Sequence, residues 1–255
     1  MHAILNIARL SFADAIRNKI AYGVLTFLLL LLATASALAS VTMGRTELMV
    51  MDLGLGGISL LGNFMAIILT IQSLQQERES RTLYILLTRL QGRWAYLLGK
   101  FLGLAAVLSL QIILMCVMLA GCIAVFGHIY WLSFAQACVT TLFEIYLVIA
   151  IALLFAQSSS LFLAMLFTLA VDIAGRFTFV IRQLGEQSDN PSIHAFTQAA
   201  YYLLPNLEAI NLRDQAGYIA QVPWDDMARM MLYSSSEIAW ILLLTSLIFT
   251  RKNIL

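Results

Sequence analysis

Four stretches of the chain carry no charged side chain for more than twenty residues: 20–44, 53–76, 101–127 and 145–171. A helix rises ~1.5 Å per residue, so ~20 apolar residues cross the ~30 Å hydrocarbon core of a bilayer. Residues 129–143 are also uncharged and run through the single acid Glu144 into the fourth stretch. That long tract divides at the polar turn Gln157-Ser158-Ser159-Ser160 into two helices. Near the end, 238–250 is too short alone, but extended back to 232 it spans, with Glu237 near one end where its carboxylate can reach the headgroups. The pattern predicts an all-α polytopic membrane protein with six transmembrane helices, at 20–44, 55–76, 101–126, 132–156, 159–177 and 232–250.

The same periodicity organises the rest of the chain. Within residues 1–19, Ile4, Leu5, Ala8, Phe12, Ala15 and Ile16 share one side of a helical wheel, opposite Asn6, Arg9, Asp14 and Arg17. This fits a helix lying on the membrane surface. Between the second and third spans, Leu83, Leu86, Leu87 and Leu90 recur at i, i+3, i+4 and i+7, with Arg81 and Arg89 off the stripe, giving a short amphipathic helix over 79–91 ended by Gln91-Gly92. Residues 178–229 contain Pro191, Pro205 and Pro223 with amphipathic stretches between them, and read as a folded helical segment. Pro223 followed by Trp224, Asp225 and Asp226 suits a helical first turn, where proline is tolerated and acids are favoured by the dipole.

Composition agrees with lipid as the solvent: 61% of the 255 residues are hydrophobic and 11% charged, too few charges to cover a water-facing surface. Basic residues resist translocation, and ten of the 15 Lys and Arg but three of the 14 Asp and Glu fall before the first span, between the second and third, and after the last. Those segments are therefore expected in the cytoplasm, with both termini inside. A formal net charge of +1 gives no basic field for nucleic acid. Cys116, Cys122 and Cys138 lie in apolar runs without paired CxxC spacing, and the scattered His2, His128 and His194 propose no metal. Around Gly99-Lys100 the first glycine and the hydroxyl of a phosphate-binding loop are replaced by Trp94 and Phe101. Gly54-Leu55-Gly56-Gly57 lacks the third glycine of a dinucleotide fingerprint and suits a turn or helix packing. No catalytic residue, cofactor or metal is assigned, and the chain is not expected to be an enzyme by itself.

Polar groups inside the bilayer are expensive unless paired or wet. Counted from the cytoplasmic ends, Asn63, Gln111 and Glu144 reach a similar depth, so a polar cluster of these three near the midplane is expected. One reading makes this a polar node that lines a cavity or links helices that move. The other, which the absence of a basic residue expected at its depth favours, makes Glu144 a protonated carboxyl bonded to an amide as glue between helices. Asp172 and Arg176, at i and i+4, are expected to form a local ion pair at the outer end of the fifth span.

The loop over 77–103 resembles the cytoplasmic signature of type-2 ATP-binding-cassette exporter permeases in the order Glu77-Arg78-Glu79, Thr82-Leu83, Leu86-Leu87, Arg93 and Gly99-Lys100. Phe143-Glu144 through Leu153-Leu154-Phe155 with its serine turn, and Tyr202-Leu203-Leu204-Pro205-Asn206-Leu207-Glu208, resemble the branch that includes permeases of copper-enzyme maturation. The resemblance implies an elbow helix at 1–19, a coupling helix at 79–91 that docks on a separate ATPase subunit carrying ATP and Mg, and pairing with a second permease copy or homologue. It assigns Leu83, Leu86 and Leu87 to docking, Thr82 to the same loop motif, and Glu77, Glu79, Arg81 and Arg89 to polar contacts with the ATPase. The expected setting is a bacterial cytoplasmic (inner) membrane, the substrate a lipophilic or amphiphilic molecule, with an outer-side accessory protein as a further partner. Two other readings stand beside it: an ion- or proton-coupled carrier using Asn63, Gln111 and Glu144, and a non-transporting scaffold or mechanical relay.

Overall fold

The computed structural model describes residues 20–41, 46–79, 93–126, 130–187, 191–216, 218 and 221–251. The expected surface helix at 1–19 lies outside them, as do Arg81, Thr82, Leu83, Leu86, Leu87 and Arg89 of the expected coupling helix. The described elements are helical: α1 (Ile20–Val41), α2 (Thr46–Glu79), α3 (Arg93–Phe126), α4 (Trp131–Ser158), α5 (Leu161–Arg176), α6 (Thr178–Glu186), α7 (Pro191–Leu203) and α8 (Trp224–Arg251), with two 3-10 turns, Glu208–Ile210 and Arg213–Gln215, before α8. Pro191 opens α7 at the position where its missing N–H costs nothing. Met227 N–H donates to the Pro223 carbonyl at 3.2 Å, and α8 then runs unbroken, so the helix begun there and the last apolar run are one element.

Four helices are long and apolar enough to cross a bilayer: Glu47–Glu79, Trp94–Val125, Trp131–Ser158 and Trp224–Phe249. Leu161–Arg176 and Thr178–Glu186 meet at 57° and make a fifth if they are one broken span, and the described side chains of α1 give a shorter apolar stretch, Gly23–Thr34. The described helices thus supply four to five such spans where the pattern predicts six.

The helix at the centre is α4, packed against α2, α8, α5 and α3. Its segment Ile145–Leu153 is apolar on every side apart from the Tyr146 hydroxyl, and a helix of that kind needs neighbours all round. Ile145 and every residue from Leu147 to Leu153 are accordingly buried. The outer helices bury one face and leave the other apolar: Leu25, Leu29 and Leu32 of α1, Ile113 and Val117 of α3, and Trp240 and Leu247 of α8 are each half exposed or more. Large exposed apolar side chains on several long helices are what a hydrocarbon solvent permits and water does not.

Glycines set two of the close approaches. A Cβ at Gly54 would overlap the Leu119 side chain, and one at Gly62 would sit 2.7 Å from Ile145 Cδ1 and 2.9 Å from Ile112 Cδ1. The glycine-rich stretch of α2 is therefore neither a turn nor a nucleotide loop. It is the face by which α2 nears α3 and α4, with small residues letting helices approach in lipid.

Candidate functional site

Hairpin arithmetic places the central polar group. Glu144 stands fifteen residues before Ser159, and Arg176 sixteen after Ser160, so antiparallel α4 and α5 bring them to one level. Arg176 Nη2 lies 2.5 Å from Glu144 Oε1, and Arg176 Nε lies 3.5 Å from Asp172 Oδ2. From α2, Asn63 Nδ2 donates to Glu144 Oε1 at 3.0 Å and to Asp172 Oδ1 at 3.2 Å, and the Ser59 hydroxyl lies 3.1 Å from Glu144 Oε1. Arg213 reaches in from the segment before α8, its Nη2 3.4 Å from Glu144 Oε2. Glu144 is 3% exposed, so this is an ionic node joining α2, α4, α5 and the α7–α8 connection inside the protein.

Four expectations change here. Glu144 has two guanidinium partners where no basic residue is expected at its level. The Asp172–Arg176 pair is present but is part of the same node. Gln111 does not join Asn63 and Glu144: it is fully buried, packs against Gly23 of α1, and neither end of its amide has a hydrogen-bond partner among the described residues. Nor is the node central in depth. With the Ser159–Ser160 turn at one membrane face, sixteen residues of α5 carry it ~24 Å across a ~30 Å core.

The break after α5 lets the segment between α7 and α8 close over the node. Phe177 leaves helical geometry with φ −96° and ψ 8°, and the Thr178 hydroxyl lies within 3.0 Å of the Gly175 carbonyl and 2.9 Å of Asn206 Oδ1, its one proton serving one at a time. The Pro205 carbonyl crosses where a Gly175 Cβ would be, 2.7 Å away, and Leu207 N–H donates to the Gly175 carbonyl at 3.2 Å. Further along, the Gln136 amide clamps the Val222 backbone, donating to its carbonyl and accepting from its N–H, both at 3.0 Å. The segment that carries Arg213 is thereby fixed at both ends.

Beside the node, between α2, α5 and the Glu208–Asp214 stretch, opens a cavity of about 580 Å³. Leu60, Phe64, Ile67, Leu169 and Ile173 give it an apolar wall, and Asn63, Asp172, Arg176 and Arg213 belong to the node itself. Its volume lies within the ~300–1,000 Å³ usual for small-molecule sites.

At the opposite ends of α2 and α3, bracketing residues 80–92, Glu77 accepts from both Lys100 and the Tyr96 hydroxyl. Lys100 is 1% exposed, and a buried ammonium has to be paired. Arg78 Nη2 donates to Gln157 Oε1 of α4 at 3.0 Å, and Tyr96 stacks on Phe249 of α8 with centroids 6.1 Å apart. Of the two described residues assigned to ATPase contact, Glu77 turns into the bundle, while Glu79 stays exposed and accepts from Gln75 at 2.9 Å.

Residues 5–253 match the family model described as ABC-2 family transporter protein. The chain belongs to the ABC-2 transporter family. Compared with curated proteins, it matches none. Members of this family are membrane components of transporters and normally work with an ATP-binding subunit, which favours this reading over an ion-coupled carrier. The match is to the family; the narrower likeness to permeases of copper-enzyme maturation rests on the two sequence stretches alone.

Sequence reading missed Ser59, Arg213, Tyr96 and Lys100 as members of these clusters. The Glu144–Arg176 contact was available by counting outward from the serine turn. Nothing local marks Arg213, whose approach depends on the fold of the segment before α8.

Proposed function

We propose that this ABC-2 protein is the permease subunit of an ATP-driven exporter of lipophilic or amphiphilic molecules, energised by a separate ATPase that docks on the 77–100 loop. In the same reading it crosses the membrane six times, with both termini in the cytoplasm, and pairs with a second copy or a homologue. The observation that carries it is the clamp at the roots of that loop. Glu77, Lys100 and Tyr96 fasten α2 to α3, and Arg78 fastens α2 to α4, so a push on 80–92 is delivered to the helices that hold the ionic node and the cavity. A docked ATPase shifts the permease between states only if it binds them with different affinity, and a stiff root is what makes its grip depend on helix position.

The test is Leu86→Asp in the assembled complex. A charge in the docking stripe should abolish substrate-stimulated ATP hydrolysis while the permease still inserts and purifies. Unchanged turnover removes the docking role from 79–91.

A further inference from the structure

The cavity beside the node is built unevenly. Its lining includes four carboxylates, Asp52, Asp172, Glu208 and Asp214, against two guanidiniums, Arg176 and Arg213. Both guanidiniums are committed to Glu144, and Arg176 to Asp172 as well. Among the described residues no cation pairs with Asp52, Glu208 or Asp214. They accept only neutral donors, the Tyr218 hydroxyl on Asp52 and the Asn211 amide on the other two.

Two oxygens of the lining residues also lack a donor among the described residues. Asn63 is 2% exposed and spends both protons of its amide on the node, leaving Oδ1 buried and unpartnered. Asp52 Oδ1 is likewise buried without a partner. Buried unsatisfied acceptors call for a hydrogen-bond donor, and carboxylates without a cation beside them favour a positively charged one. Most of the rest of the wall is apolar, and three of the carboxylates, Asp52, Glu208 and Asp214, lie apart from Phe64, Ile67 and Leu169. On α2 the acid Asp52 marks one end and Ile67 the other, ~22 Å apart along the helix. On α5 the apolar end is Leu169 and the charged end Arg176.

We infer that this cavity binds an amphiphile with a protonated amine head, seated with the head toward Asp52 and the Glu208–Asp214 stretch and the chain along Phe64, Ile67 and Leu169. This deepens the transport reading and rests on it for the sense in which the ligand is a substrate; binding itself is independent of the ATPase. A primary ammonium brings three donors and a compact charge, whereas a quaternary ammonium brings charge without donors and a carboxylate brings the wrong sign. The head can belong to a free alkylamine or to an ethanolamine lipid.

The full-length protein in phosphatidylcholine nanodiscs is titrated with radiolabelled dodecylammonium, with empty nanodiscs subtracting partition into lipid. Saturable binding is expected, displaced at least tenfold less well by dodecyltrimethylammonium or dodecanoate than by unlabelled dodecylammonium. The double variant Asp52→Asn, Asp214→Asn should weaken it at least tenfold with thermal unfolding unchanged. Probe capacity lost when phosphatidylethanolamine replaces phosphatidylcholine identifies the lipid head as occupant; capacity retained identifies the free amine, and either supports the assignment. Equal displacement by dodecanoate on the unaltered protein overturns it, as does unchanged affinity in the double variant. So does absence of saturable binding, and if Phe64→Cys then cross-links to a second copy, the face is an interface between copies. If binding fails while Leu86→Asp still uncouples ATP hydrolysis, only the head-group assignment falls.

Discussion

Glu144 accepts from Ser59, Asn63 and Arg176 and pairs with Arg213, and these partners differ in what they contribute. Interhelical hydrogen bonds between neutral groups in membranes contribute ~0.6 kcal/mol on average, because the separated helices find other partners. Removing one member of a buried ion pair costs ~3–5 kcal/mol, since the other charge is left behind. Arg176 is 27% exposed, so water recovers part of that, and the loss should fall at the low end. Glu144→Gln is therefore expected to destabilise the purified protein by roughly 3 kcal/mol, and Asn63→Ala by less, about 1–2, read from thermal or denaturant unfolding in detergent. Adding Arg213→Gln to Glu144→Gln should recover stability, since Arg213 pairs with no other carboxylate among the described residues while Arg176 keeps Asp172; equal loss from Glu144→Gln and Asn63→Ala speaks against the ion pairs.

At the scale of elements, glycines separate contacts that can yield from one that cannot. An added methyl at Gly62 meets the ends of two isoleucine side chains, which can turn aside; one at Gly175 meets the Pro205 backbone carbonyl at 2.7 Å. Gly62→Ala should cost little, whereas Gly175→Ala should cost ~1–3 kcal/mol, in the range for overpacking, and loosen the segment that carries Arg213. Limited proteolysis between Leu204 and Asp214 should then accelerate in Gly175→Ala alone. Lys100 belongs to the same class of argument. Lys100→Met removes the buried cation paired with Glu77, and in the transport reading it should reduce coupling, measured as ATP hydrolysed per substrate moved, even where the folded protein is recovered.

For the whole molecule, the orientation expected from basic residues and the motor reading stand together. A cysteine at position 86, in a background with Cys116, Cys122 and Cys138 replaced by alanine, should react with an impermeant thiol reagent in inside-out vesicles and be protected in right-side-out ones. The reverse pattern removes the ATPase from the loop. The apolar surface of the peripheral helices requires lipid or another protein around them, whereas Ile145 and residues 147–153 of α4 are enclosed within the chain.

The element types were legible because long uncharged runs have no other stable form in lipid, where each backbone group must be bonded within its own segment. The serine turn, the Pro223 start of α8 and the Asp172–Arg176 spacing were local signals as well, and local signals survive in a sequence. What tertiary structure decided was which polar groups meet: Gln111 turned to α1 instead of Glu144, Arg213 entered from a distant segment, and Glu77 faced Lys100 across the bundle. Electrostatic partners are chosen by helix rotation and loop path, which depend on the packing of every neighbour at once, while hydropathy is read one helix at a time.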